Sequence, residues 1–381
     1  MWKTVIGTGL ALFVASPVLA QDVNLPAQLS WTAYDTGTSG FNQVVAFGQA
    51  LKTKLNVDLR VIPGSNDIAR MTPVKTGRVQ ISANGIGTYW SQEGLDVFAA
   101  KDWGPQKVRL LFTVNAANAI AAAVAGDVGV KDYKDLKGKR VGWVVGSAAL
   151  NGNMEAMLAF GGLTWKDVQK VEFPGYGAMW KGMVNNHVDA AIASTISGVT
   201  KELEVSPRGI VWPRTPHNDE AGWQRVWKVA PYYQKHMATE GTGGISKEKP
   251  YEGPNYPYPI VMAYDTLEAE LVYNTVKAAH LYYANYKDGA PGADGWDVKR
   301  QEIKWVLPYH EGAVRYYKEI GVWKAEHEAH NTAILQRQGV LLAAWEAFKA
   351  SNPADEAFAK DWPKARAAAL IKAGMDPVWS E

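Results

Sequence analysis

The sequence predicts an α/β protein of two domains, and three observations carry that prediction. Short apolar strands alternate with small-residue loops and amphipathic helices, the pattern of parallel sheets covered by helices. Two apolar strands then follow one another at 108–114 and 119–125, separated only by Asn115, Ala116, Ala117 and Asn118, where the chain passes from one domain to the next. Finally, 381 residues are enough to bury two cores without cross-links.

In order along the chain, 29–34 is a short apolar and aromatic strand. Thr36, Gly37, Thr38, Ser39 and Gly40 form a loop behind it, and Phe41, Val44, Val45, Gly48, Leu51 and Leu55 recur at helical spacing. A strand at 59–62 runs into Gly64, Ser65, Asn66 and Asp67, followed by an amphipathic stretch at 68–76 and a strand at 79–83. Past the crossover, a strand at 141–145 leads through Gly146 and Ser147 into a helix carrying Met154, Met157 and Leu158. Tyr176, Met179, Trp180, Met183 and Val184 form another helical stripe, and the strand 188–192 ends in Ser194 and Thr195. Eight of the 19 prolines fall within 207–259, so regular structure is interrupted there as the chain returns to the first domain. Three amphipathic helices are expected at 267–286, 312–321 and 332–349. The expected division is 21–117 with 213–381 as one domain, C-terminal helices included, and 118–212 as the other.

The first 20 residues read as a secretory signal: Lys3, an apolar run at 5–15, and Val18-Leu19-Ala20 before Gln21. Cleavage after Ala20 into the periplasm is expected, since the run is shorter than the roughly 20 residues that span a bilayer. The chain has no cysteine, which excludes a lipid-modified cysteine, disulfides, thiolate metal sites and thiol nucleophiles. The formal charge is +2, with no long run of either sign, so nucleic acid is not an expected partner. Sixteen tryptophans and 17 tyrosines fill cores or wall a pocket.

Small residues gather in the loops after strands, at 36–40, 64–66, 84–87, 146–147 and 194–198. In open α/β sheets such loops border the ligand crevice, where helix N-termini offer N–H donors to an anion. This points to Thr36, Thr38, Ser39, Gly40, Phe41, Ser65, Asn66, Asn84, Gly146, Ser147 and Thr195 as candidate ligand contacts; turn-making and helix-capping are the alternative for each loop. Arg70 either reaches a bound carboxylate with its planar fork or lies on the surface. Tyr176 and Trp180, one turn apart, divide between covering a ligand and packing, or both enter the core. No G-x-G-x-x-G, phosphate-cradling loop or G-x-S-x-G turn is present. Glu326-His327-Glu328-Ala329-His330 lacks metalloprotease spacing and reads as a solvated helix face, while His310-Glu311 reads as a local cap. A periplasmic hydrolase or lyase using these histidines is the competing enzyme reading. No metal, cofactor or catalytic residue is assigned.

Several segments together resemble the TRAP-associated extracytoplasmic immunogenic (TAXI) family of solute receptors. Thr36-Gly37-Thr38-Ser39-Gly40-Phe41 is similar to the family's T-G-x-x-G-[YF] loop, and Gly64-Ser65-Asn66 to its G-S-x-x-N segment, with the asparagine early here. The unit 135–141 followed by Gly146-Ser147 resembles D-L-K-G-K-x-V and its glycine-serine turn, though alanines follow. Val188-Asp189-Ala190 with Gly198 resembles the I-D-A strand and later glycine, and 308–321 the P-x-H-x-G-A-x-x-Y-x-x-x-G ending. The resemblance implies a type II solute-binding fold: two α/β domains closing on glutamate or another small carboxylate, with delivery to a TRAP membrane permease. An ATP-driven transporter or a sensor kinase is the alternative destination.

Overall fold

The computed structural model describes residues 23–379; the expected signal sequence and cleavage point lie outside the described residues. Residues Gln28–Ala33 (β1), Ser39–Leu55 (α1), Asp58–Pro63 (β2), Asp67–Lys75 (α2), Ile81–Asn84 (β3), Gly87–Glu93 (α3) and Val108–Thr113 (β4) begin the first layer. Then come Ile120–Ala125 (β5), Arg140–Val144 (β6), Ala148–Phe160 (α4), Gln169–Phe173 (β7), Tyr176–Val184 (α5), Ala190–Ser194 (β8), Gly198–Val205 (α6), Ile210–Val211 (β9) and Glu220–Val229 (α7). The hairpin Gln234–Ala238 (β10) and Tyr251–Asn255 (β11) precedes Ile260–Tyr264 (β12), Ala269–Leu281 (α8), Glu311–Glu319 (α9), Ala325–Ala350 (α10) and Asp355–Lys372 (α11).

Two five-stranded mixed sheets result, ordered β2-β1-β3-β12-β4 and β7-β6-β8-β5-β9. The orders are equivalent. In each, three parallel strands are followed by one antiparallel strand that has just crossed from the other half: β12 beside β3 and β4, β5 beside β8 and β9. Both crossing strands are almost wholly buried, which is why they read as continuous apolar runs rather than alternating ones. This is the expected two-domain α/β arrangement, with a cleft between the domains.

The chain re-enters the first sheet only at β12. Segment 213–255, expected with the first domain, stays beside the second: α7 packs on α4, and β11 runs against β5. Its prolines break the segment into short pieces without carrying it away, because Trp223, Tyr232, Tyr233 and Tyr251 are buried there. The first lobe is then extended by α10 and α11, the latter unexpected from the sequence because Pro363 interrupts its pattern. A buried charge cluster holds both helices: Glu93 at the end of α3 accepts Arg337 at 2.8 and 2.9 Å and also Arg366, whose side chain is fully buried.

Candidate functional site

The C-terminal edges of both parallel sets meet along one seam. Asn66 caps α2, accepting the Ala69 amide at 2.8 Å, and its Nδ2 donates across the seam to the Val145 carbonyl at 3.1 Å. The Asp67 amide donates to the Gly146 carbonyl at 3.1 Å, and Gly146 holds φ +76°, where glycine is favoured. The Tyr176 amide reaches the Ser65 carbonyl at 3.1 Å. Ser147 caps α4, and its hydroxyl contacts Asp67 Oδ2 at 3.2 Å. Ser65, Asn66, Gly146 and Ser147 therefore join the two lobes.

Arg70 is fully buried behind this seam. Its Nε donates to Asn84 Oδ1 at 2.9 Å and its Nη1 to the Gly64 carbonyl at 2.9 Å, while Nη2 pairs with Asp67. The guanidinium also lies 3.5 Å over the Tyr34 ring. The carboxylate that its fork meets is thus the chain's own, neither a ligand's nor at the surface. Gly87 makes this possible, since a Cβ there would stand 2.6 Å from Asp67 Cγ.

Between the lobes lies a cavity of about 350 Å³ including its mouth, lined by Thr38, Ser39 and Tyr176 among the expected residues. Thr38 caps α1, its Oγ1 accepting the Phe41 amide at 3.3 Å. Ser39 is buried beside the Tyr258 phenol. Gly40 carries that same phenol against its backbone. Tyr176 faces the cavity with its hydroxyl 3.4 Å from Ser197 Oγ, whereas Trp180 packs, donating to the Ile192 carbonyl at 3.1 Å.

Three further tyrosines line the space. Tyr34 meets Tyr258 edge-on at 5.6 Å between centroids and Tyr176 at 6.4 Å; Tyr256 accepts a hydrogen bond from Asn153 at 2.9 Å. Burial raises the pKa of all four phenols above the ordinary value, so they remain protonated donors at neutral pH. Ile120, Leu150 and Ile192 supply apolar wall, and among the described residues no Lys, Arg, His, Asp or Glu lines the cavity.

The remaining candidates lie elsewhere. Thr36 is exposed at the loop tip, and Phe41 is half-buried and packs against the core. Thr195 is buried at the crossover, accepting the Ala119 amide at 3.1 Å and donating to the Glu240 carbonyl at 2.8 Å. His310 caps α9 by accepting the Gly312 amide at 3.1 Å; His327 accepts the Lys324 amide at 3.0 Å, and His330 contacts the Trp305 carbonyl. None of these histidines borders the cavity. Among the described residues no helix is long and apolar enough to cross a membrane, and no group of His, Cys, Asp and Glu could hold a metal ion.

Sequence reasoning missed Tyr34, Asn153, Ser197, Tyr256 and Tyr258. The clearest available signal was Asn255-Tyr256-Pro257-Tyr258-Pro259, aromatic residues fixed between prolines directly before a buried strand.

No curated protein matches the chain in sequence. Among solved structures, the chain is similar to the alkanesulfonate-binding protein SsuA from Xanthomonas axonopodis pv. citri bound to MOPS, at 14% identity and TM-score 0.44, covering 87% of this chain and 96% of that one. An ABC transporter periplasmic binding protein from Brucella ovis with glutathione bound is 11% identical at TM-score 0.42, covering 93% and 82%. An ancestral arginine-binding protein bound to arginine is 15% identical at TM-score 0.41, covering 72% and 97%. The family model for NMT1-like proteins matches residues 33–321, well over half of the sequence. The chain belongs to the NMT1-like family.

Proposed function

We propose that this chain is a periplasmic solute receptor, not an enzyme, whose two lobes close on a small organic acid and present it to a TRAP-type membrane permease. The observation that carries the reading is the cavity between the lobes, where Thr38 and Ser39 at the α1 N-terminus face Tyr176 and Ser197. A helix N-terminus favours negative charge, and the surrounding phenols and hydroxyls add uncharged donors. A carboxylate seated there contacts Thr38 and Ser39 from the first lobe, while its body meets Tyr176 and Ser197 from the second. Contacts made by both lobes at once exist only in the closed state, so the ligand shifts the population towards closure.

Ser65, Asn66, Gly146 and Ser147 act in this reading as the latch of the closed form rather than as direct contacts. Among the described residues the cavity wall carries no carboxylate, imidazole or amine to move protons, which supports equilibrium binding without turnover. The permease type follows from the resemblance of the loops and of 308–321 to TAXI receptors. A thermal-shift screen of small organic acids at millimolar concentration tests the proposal, because a ligand at 100 times its Kd adds about 2.7 kcal/mol to folded-state stability. A panel that leaves the melting temperature unchanged sinks it.

A further inference from the structure

Three hydroxyls of the cavity wall, drawn from three separate chain segments, already accept a hydrogen bond from the protein. Before α1, Thr38 Oγ1 accepts the Phe41 amide. At the end of β8, Ser194 Oγ accepts Asn118 Nδ2 at 2.9 Å, and the same amide nitrogen faces the Ala119 carbonyl, an acceptor only, which fixes it as the donor end. On the returning chain, the Tyr256 phenol accepts Asn153 Nδ2 at 2.9 Å; that amide is turned by Tyr232, whose hydroxyl donates to Asn153 Oδ1 at 3.0 Å. Thr38, Ser194 and Tyr256 are 2, 7 and 3% exposed. Each keeps one proton to give, and among the described residues none of the three has a protein acceptor for it.

A buried O–H without an acceptor is costly, and a ligand that supplies the acceptor removes the cost. An ammonium brought into the same space loses its water and gains no counter-charge, since among the described residues no carboxylate lines the cavity. Resting on the organic-acid reading above, we infer that the ligand is an oxo acid, and that the amino acid of the same skeleton is rejected. The two differ at one carbon, where a keto oxygen only accepts hydrogen bonds and an ammonium only donates them. Ser194 and Tyr256 give their protons to the keto oxygen, and Thr38 with Ser39 meets the carboxylate. Asn118 and Asn153 are positioning residues: each occupies the oxygen of its hydroxyl as an acceptor and so turns the proton away from itself. Discrimination is strong in such a site because the wrong ligand leaves its buried polar groups unpaired.

Isothermal titration of the purified protein with acids of equal skeleton tests this: pyruvate against alanine, 2-oxoisovalerate against valine, and phenylpyruvate against phenylalanine. The expected result is that in at least one pair the oxo acid binds about tenfold or more tightly than the amino acid. If no pair shows that preference, the inference is overturned. Amino acids that bind in that case leave the acid-receptor reading standing, and if none of the six binds, the wider thermal-shift screen decides that reading separately. Tyr256→Phe combined with Ser194→Ala removes both protons, and its affinity for the preferred oxo acid falls by about tenfold or more; Ser194→Ala alone, the milder change, lowers it by about threefold. A folded variant of either kind that keeps the parent's affinity for the oxo acid also overturns the inference.

Discussion

The Asp67 carboxylate of the first lobe accepts the Ala149 amide of the second at 2.8 Å while pairing with Arg70 behind it, and both acidic and basic side chains are fully buried. One carboxylate therefore neutralises a cation in its own lobe and caps a helix in the other. It couples the stability of the first lobe to the contact between the two.

Asp67→Ala strands the Arg70 guanidinium without its charge partner. Breaking a buried pair this way costs about 3–5 kcal/mol. Urea unfolding followed by tryptophan fluorescence reads the loss, and a variant within about 1 kcal/mol of the parent contradicts the buried pairing.

Ser39→Ala removes a small buried hydroxyl that lines the cavity beside the Tyr258 phenol. Its melting temperature stays close to the parent's. Its affinity for the bound acid falls by about tenfold or more, since a hydrogen bond to a charged group contributes about 1.5–3 kcal/mol. Calorimetric titration with the tightest acid found decides it, and an unchanged affinity removes Ser39 from the site.

How far the sequence announced this site depended on where the signal resided. Thr38, Ser39 and Tyr176 were legible because a loop after a strand and a helix start have local signatures. Arg70 was legible as a carboxylate-binding fork, but sequence spacing could not reveal that Asp67, three residues earlier on the same helix, would satisfy it. Tyr256 and Tyr258 were hidden because they reach the cavity from the returning chain, far from the other lining residues in sequence. The two sheets were readable from apolar runs, whereas the allegiance of 213–255 was not, since it is set by long-range packing of α7 on α4.

Burial lowers the pKa of His310 from 6.5, although the neighbouring Glu311 and Asp265 oppose the shift and Arg109 adds to it. The unfolded chain therefore takes up this proton at a higher pH than the folded one. The stability that neutral His310 contributes is complete above pH 6.5 and is lost progressively as the pH falls below it. Protonation of Nδ1 also ends its acceptance of the Gly312 amide. Between about pH 7.5 and 5, a range that brackets the ordinary histidine value, the melting temperature should fall more steeply for the parent than for His310→Asn. Parallel curves contradict this role.

Glu93→Ala leaves Arg337 and Arg366 facing each other without their shared carboxylate. The α10 and α11 helices lose their anchor, with a cost of about 3–5 kcal/mol. Limited proteolysis should then cleave within 325–372 before the sheets are attacked. Cleavage elsewhere first contradicts the assignment of this cluster as the anchor.

Closure of the two lobes on a small organic acid changes the distance between them, and that distance can be measured. The absence of cysteine allows two spin labels to be placed at Thr53→Cys on α1 and Lys181→Cys on α5, both exposed and on opposite lobes. Pulsed dipolar spectroscopy should show a broad distance distribution that narrows and shortens saturably as the acid is added. An unchanged distribution with the acid demonstrably bound would contradict the account.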